Sequence, residues 1–312
     1  MRRLVTGGVA GPLVLVAVLT GGCTGGGSDI GPDSDEAGRA PAVSVAESYR
    51  ILRDWAERYN KAVASGDEDD WRDLTTGALR GPMTARARTY GRLPDSERIS
   101  LRNPALYVPR LDGHPKWFAA AALDDVGGAA QQVLVLFRQE KAKEPWRAAH
   151  WLVFRGAPPK LDYDGHGYAI PAADGSLPSG HAAYLSTGDQ SLFRPDRFTR
   201  QARDKAKRSD APSGWSVTTR FGPDRHPVHG LRTDDGGSLV WYAVEQRRTF
   251  KANGSGRPDT LPADVRAHLT KAQRLSATRI EATWTWLAIG YVPPQGTANV
   301  LGESVRLSDV RT

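Results

Sequence analysis

The chain has 312 residues, 39% of them hydrophobic, with 42 Lys and Arg against 35 Asp and Glu and a single cysteine, Cys23. One cysteine excludes an intramolecular disulfide, and with nine Trp the apolar fraction is enough for each half to bury a core without one. A formal charge of +7 suits contact with anionic lipid or wall polymer, and at roughly 100 to 200 residues per domain the length predicts two domains.

The chain opens with Arg2-Arg3, an apolar run from Leu13 to Leu19, and then Thr20-Gly21-Gly22-Cys23. A charged start, a short apolar stretch and small residues before a cut make the layout of an export signal. The run falls short of the roughly 20 apolar residues that a spanning helix needs. Residues 1–22 are therefore read as a signal peptide, and an exported chain is not expected to meet nucleic acid. Leu19-Thr20-Gly21-Gly22-Cys23 resembles the lipobox of bacterial lipoproteins, with its Leu one place further from the cysteine than in the commonest form. The resemblance implies lipid attachment at Cys23, with acyl groups such as palmitate. That anchor would hold the protein at the extracytoplasmic face of the cell membrane, and it accounts for an otherwise unpaired thiol in an exported chain.

Residues 23–42 are Gly, Ser, Asp and Pro with little that is apolar, a composition that cannot offset the entropy of ordering and predicts a flexible tether. From Val45 the pattern changes. Val45, Tyr49, Leu52, Trp55, Tyr59 and Val63 recur every three or four residues, which predicts an amphipathic helix ended at Gly66. Asp67, Asp69 and Asp70 suit the positive end of a second helix that carries Trp71 and Leu74 inward and breaks at Gly81-Pro82. After Pro94 the period falls toward two. Strands are predicted around 99–108, at Trp117 to Leu123, at Val133 to Phe137 and at Trp146 to Phe154. A Pro- and Gly-rich passage from Gly156 to Gly180 marks a boundary between a first domain, 43–165, and a second, 178–312. In the second, a helix through Ala182 to Leu185 and a basic helix from Pro195 to Arg208 precede strands at 215–221, 239–250, 280–292 and 299–307, with a short helix near 263–272. The predicted class is α+β, two tandem units of helices followed by a curved antiparallel sheet.

Two resemblances bear on this layout. A helix, then Ala62-Val63-Ala64-Ser65-Gly66-Asp67, then a Trp/Leu helix ending near Thr75-Thr76-Gly77-Ala78-Leu79 resembles the opening of the cone-shaped domains related to nuclear transport factor and to polyketide cyclases. Ser65-Gly66-Asp67 and Thr187-Gly188-Asp189, each followed by an aromatic residue, hint at an internal duplication. The whole, with lipobox, tether and two such halves, is similar to uncharacterised actinobacterial lipoproteins, a likeness that carries no catalytic residues over.

Several short strings are candidates for chemistry. Pro178-Ser179-Gly180-His181 matches one signature of the phosphatidic acid phosphatases but lacks that family's other elements, and reads as a turn before a helix. Asp224, His226 and His229 have metal-ligand chemistry but sit beside Arg225, and read as a solvent-facing hairpin loop. Asp162, Asp164 and His166 lack the oxygen ligands of a calcium loop and read as a turn. His150 reads as a hydrogen-bonded core or rim residue. Arg197, Arg200, Arg203, Lys207 and Arg208 are candidates for contact with an anionic surface. Trp284 and Trp286 alternate on one strand, and Trp241 on a neighbour could join them to line a ligand pocket. No catalytic residue, metal site or cofactor is assigned. The sequence therefore predicts a membrane-anchored binding module for a small molecule or a cell-envelope polymer or protein. A cone-fold isomerase or hydratase, or a scaffold for an envelope complex, is the alternative.

Overall fold

The computed structural model describes residues 39–126, 130–172, 175–207, 211–254 and 256–312. The signal, the lipobox, Cys23 and Arg208 lie outside these. Residues from Arg39 onward form one compact unit. At the end of the stretch read as tether, the Ala42 N–H donates to the Pro109 carbonyl at 2.9 Å, and Ala42 and Val43 are buried.

Helix α1, Val45–Ser65, buries Leu52, Trp55, Tyr59 and Val63 of the stripe that its spacing predicts, while Val45 and Tyr49 in its first turns are exposed. Ser44 caps it by accepting the Glu47 N–H at 3.2 Å, and Gly66 ends it at φ 71°. Helix α2, Glu68–Leu74, starts at Asp67, whose carboxylate accepts the Asp69 N–H at 2.9 Å. The break expected at Gly81-Pro82 falls earlier, at Thr75-Thr76, and α3, Gly77–Tyr90, runs through Pro82. Pro82 removes one helical hydrogen bond, but it is buried with Met83, Ala85 and Ala87, and this packing outweighs the loss. Gly81 allows the close approach: a Cβ there would lie 3.0 Å from the Cβ of Ser308.

Strands β1 (Leu101–Tyr107), β2 (Lys116–Asp124), β3 (Gln131–Gln139) and β4 (Arg147–Val153) form an antiparallel sheet in chain order. One face meets α1, where Trp55 packs on Phe137 and Trp151 with ring centroids 5.5 and 5.3 Å apart. The other face carries Leu134, Leu136 and His150. Helices α4 (Leu177–Thr187) and α5 (Arg197–Lys207) lead into a second antiparallel sheet. It comprises β5 (Trp215–Pro223), β6 (His229–Arg232), β7 (Ser238–Ala252), β8 (Arg279–Val292) and β9 (Asn299–Arg311), ordered β5-β7-β8-β9 with β6 beside β7. Short helices α6 (Ala263–Ala267) and α7 (Gln273–Ser276) connect β7 to β8. The α+β class is as predicted; strand β6 is not, being short and set among Pro, His and Gly.

The second sheet is covered on both sides. Leu239, Trp241 and Ala243 of β7, with Leu287 and Ile289 of β8, belong to the same apolar cluster as Leu134 and Leu136 of the first sheet. Val240, Tyr242 and Val244 instead pack with Leu177, Tyr184 and Leu185 of α4. The layers therefore run helix, sheet, sheet, helix. The connection between the sheets stitches their edges: Ala169 bridges to Pro109, while Leu161 and Pro171 bridge to Thr233 and Leu231.

Candidate functional site

The three candidate tryptophans are not brought together. Trp286 pairs across to Val244 and Trp241 to Ile289, so Trp241 faces the first sheet while Trp284 and Trp286 take the opposite face. Trp241 and Trp286 are both buried in packed core, and the Trp286 indole donates to Gln246 Oε1 at 2.9 Å. Trp284 alone of the three reaches a cleft. That cleft, of ≈ 160 Å³, lies between α3 and β8–β9, with Arg86, Tyr90, Asp264 and Arg306 around it. Arg86 pairs with Glu97 at 2.5 Å. Arg306 is exposed at the cleft mouth; partial desolvation by the cleft wall holds its guanidinium somewhat below its ordinary pKa, the Arg86 charge adding to the effect and the Glu97 charge opposing it. The Arg248 guanidinium lies 5.4 Å from the Trp284 ring centroid, a cation–π contact.

The basic helix keeps only part of its charge at the surface. Asp196 and Thr199 cap α5 reciprocally: the Thr199 N–H donates to Asp196 Oδ1 at 2.7 Å and the Asp196 N–H to Thr199 Oγ1 at 2.8 Å. Arg197, Arg200 and Lys207 are exposed. Arg203 lies one helical turn after buried Thr199 and is therefore half-buried, its guanidinium 5.4 Å from the Tyr184 ring centroid. Lys207 edges a second cleft, of ≈ 270 Å³, between Leu185 and Ser186 of α4, Ala206 of α5 and Phe221 of β5.

A buried polar group escaped the sequence reading. The string Pro178-Ser179-Gly180-His181, expected as a turn before a helix, is itself the opening of α4, which starts at Leu177. Proline is tolerated at that end because the first amides have no helical acceptor. His181 is fully buried, stacked on Phe193 with centroids 4.9 Å apart, and its Nδ1 accepts the Tyr242 hydroxyl at 3.0 Å. Its Nε2 stands 3.9 Å from Glu303 Oε2, and neither atom has a hydrogen-bond partner. Burial lowers the His181 pKa to about 3 and raises that of Glu303 to about 7. No motif signals this pairing, which joins residues far apart in sequence.

The other strings serve structure. Asp164 accepts the N–H groups of His166 and Tyr168 at 2.8 and 2.9 Å and the Arg110 Nε–H at 2.8 Å, while Asp162 accepts the Arg232 Nε–H at 2.8 Å. Their oxygens hold a turn, as the sequence predicts. The Asp224 to His229 string is not solvent-facing as expected. His226 is half-buried, with its Nδ1 2.5 Å from Asp224 Oδ1. His229 opens β6 opposite Trp241 and packs on Trp117 with centroids 5.3 Å apart. His150 is buried and its Nε2–H donates to the Tyr242 carbonyl at 3.2 Å. Among the described residues, no group of three or more His, Cys, Asp or Glu side chains is placed to hold a metal.

The fold defines the class, an α+β body of two stacked antiparallel sheets flanked by helices. Residues 39–311 match the family described as "Domain of unknown function (DUF8094)", and the chain belongs to that family. An uncharacterized lipoprotein of Streptomyces coelicolor is 30% identical over 286 residues, 84% of each chain. Another from the same organism is 26% identical over 299 residues, 86% of this chain and 84% of its own. One from Streptomyces avermitilis is 26% identical over 226 residues, 65% of this chain and 66% of its own. No solved structure matches. By this kinship the chain is a membrane-anchored lipoprotein, and no helix among the described residues is long and apolar enough to cross a membrane.

Proposed function

We propose that the protein is a binding module of the cell envelope, acylated at Cys23, standing at the extracytoplasmic face of the membrane and recognising an envelope component or small molecule through its surface. The observation that carries this reading is the filled interior. Trp71, Trp241, Trp286, Phe118 and Phe137 are fully buried, so side chains occupy the space where a cone-shaped domain would keep a pocket. Recognition is left to the outer clefts and the basic face. In both halves helices precede an antiparallel sheet, an order that supports kinship with the cone-shaped domains. The exposed side of α5, with Arg197, Arg200 and Lys207, would be drawn to anionic headgroups at about 1 kcal/mol per close charge. An isomerase or hydratase would need Asp and His open to a pocket, whereas the His181–Glu303 pair is closed in the core. Buried rings of this kind also favour the second reading, a scaffold that meets envelope proteins at the same outer surface.

Fractionation with mass spectrometry tests the anchor, and co-sedimentation with isolated envelopes tests the binding. The wild type should remain with membranes, its N-terminal peptide beginning at acylated Cys23, and Cys23→Ser should not be acylated. A native mass equal to the unprocessed polypeptide, beginning at Met1, would overturn the anchor. Failure to bind either envelopes or small anions would overturn the binding role.

A further inference from the structure

Arg306 is an exposed cation that makes no ion pair among the described residues, in a cleft lined in part by the rings of Tyr90 and Trp284. Its neighbour Arg86 is answered by Glu97 at 2.5 Å. Among the described residues no carboxylate lies within ion-pair distance of Arg306; the Glu97 charge acts on it from beyond that distance, and Arg86 adds a like charge. Asp264 in the cleft wall is engaged elsewhere, since it accepts the Val265 N–H at 2.9 Å and its charge acts on Arg248. Arg306 is exposed, so its guanidinium can be reached from solvent, and with no ion-pair partner its fork of N–H donors is free to take a carboxylate or phosphate in charge-assisted hydrogen bonds. Beside it, Tyr90 is 64% exposed and Trp284 lines the same cleft. At roughly 30 Å³ per water, ≈ 160 Å³ holds about five waters, the space of a single sugar or aryl ring.

We propose that this cleft binds a small organic anion, its carboxylate or phosphate taken by Arg306 with Arg86 alongside, and its ring-sized body lying against Trp284 and Tyr90. The proposal rests on the reading of the protein as a surface binder. The same chemistry is presented by a free solute and by a charged unit of an envelope polymer, so the test has two arms.

In the first arm the detergent-solubilised full chain, with its Trp indoles labelled with nitrogen-15, is titrated with glucuronate, glucose 6-phosphate and neutral glucose, and the Trp284 signal is identified by its loss in Trp284→Phe. Both anions should move that signal saturably and glucose should not. Arg306→Gln should weaken the anions by roughly tenfold, the scale of one charge-assisted contact, with Arg306→Lys recovering part. No response to either anion, an equal response to glucose, or undiminished binding by Arg306→Gln overturns the proposal. In the second arm wild type and Arg306→Gln are co-sedimented with purified cell wall. Loss of wall binding in the variant, together with loss of the probe response, identifies the polymer as the source; loss of the probe response alone identifies a free solute. If wall binding persists while neither probe acts, the site falls and the surface-binder reading stands. If the probes act and the wild type ignores the wall, the site stands without the polymer.

Discussion

The buried carboxyl of Glu303 makes a pH-dependent cost that one substitution should remove. Burial raises its pKa from 4.5 to about 7, the Arg155 charge pulling it back and the Asp196 charge pushing it up. Its side chain is 7% exposed, so little solvent screens the effect. A carboxyl with a raised folded-state pKa is stabilised by folding while it stays protonated. That contribution is present below pH 4.5 and is lost as pH rises toward 7, because the unfolded chain ionises first. At 1.36 kcal/mol per unit the loss is on the order of 3 kcal/mol by pH 8. Glu303→Gln keeps the shape without the ionisation, so wild type and variant should differ by a constant amount below pH 4.5. Above it the variant should gain about 3 kcal/mol relative to wild type, or roughly 5 to 10 °C in Tm for a body of this size. Thermal melts of both proteins at half-unit steps from pH 4 to 8 measure the gap, and titrations common to both cancel in the difference. Parallel curves across pH 5 to 8 would show that the carboxyl reaches water or a counter-ion, and the reasoning would fail.

The buried imidazoles act in the opposite direction. Burial lowers His150 to about 4 and His181 and His229 to about 3, so the unfolded chain takes their protons first as pH falls below 6.5, and stability should drop by up to about 4 kcal/mol per pH unit. Urea melts between pH 7 and 4.5 read this slope, and His229→Phe should lower it by about a third. Trp241→Ala, which empties packed core between the sheets, should cost about 3 to 5 kcal/mol in denaturant melts, whereas Trp284→Ala at the cleft should cost clearly less. Gly66→Ala puts a Cβ at φ 71° and 2.2 Å from the Arg92 amide nitrogen, and should destabilise by more than the roughly 1 kcal/mol of an ordinary left-handed site. Gly81→Ala, 3.0 Å from a side-chain carbon that can give way, should be milder in the same melts.

How much of this was legible depends on how far apart the interacting residues are. The stripe of α1 and the bodies of β2, β3, β7 and β8 are local patterns, and the sequence predicts each within a few residues. That Trp284 and Trp286 share a face is also local, because two residues on one strand differ by a full pleat. Where Trp241 points is not local. It depends on the register between β7 and β8, which are joined by a long connection with its own helices, and a shift of one residue would have put Trp241 on the same face as Trp286. The continuation of α3 through Pro82 likewise rests on packing against distant segments, among them β9, where Gly81 leaves room for Ser308. The pairing of His181 with Glu303 joins α4 to β9 and leaves no trace in either segment. One non-local feature did have a local signature. Leu239-Val240-Trp241-Tyr242-Ala243-Val244 is apolar without alternation, and Val133 to Phe137 is the same; a half-solvated antiparallel strand would alternate. Such runs require cover on both faces, and the stacking of the two sheets supplies it: the first sheet covers one side of β7 and α4 the other. Both faces of β7 are thereby taken up by packing, which turns attention to the outer margin where α3 meets β9 and Arg306 edges a cleft.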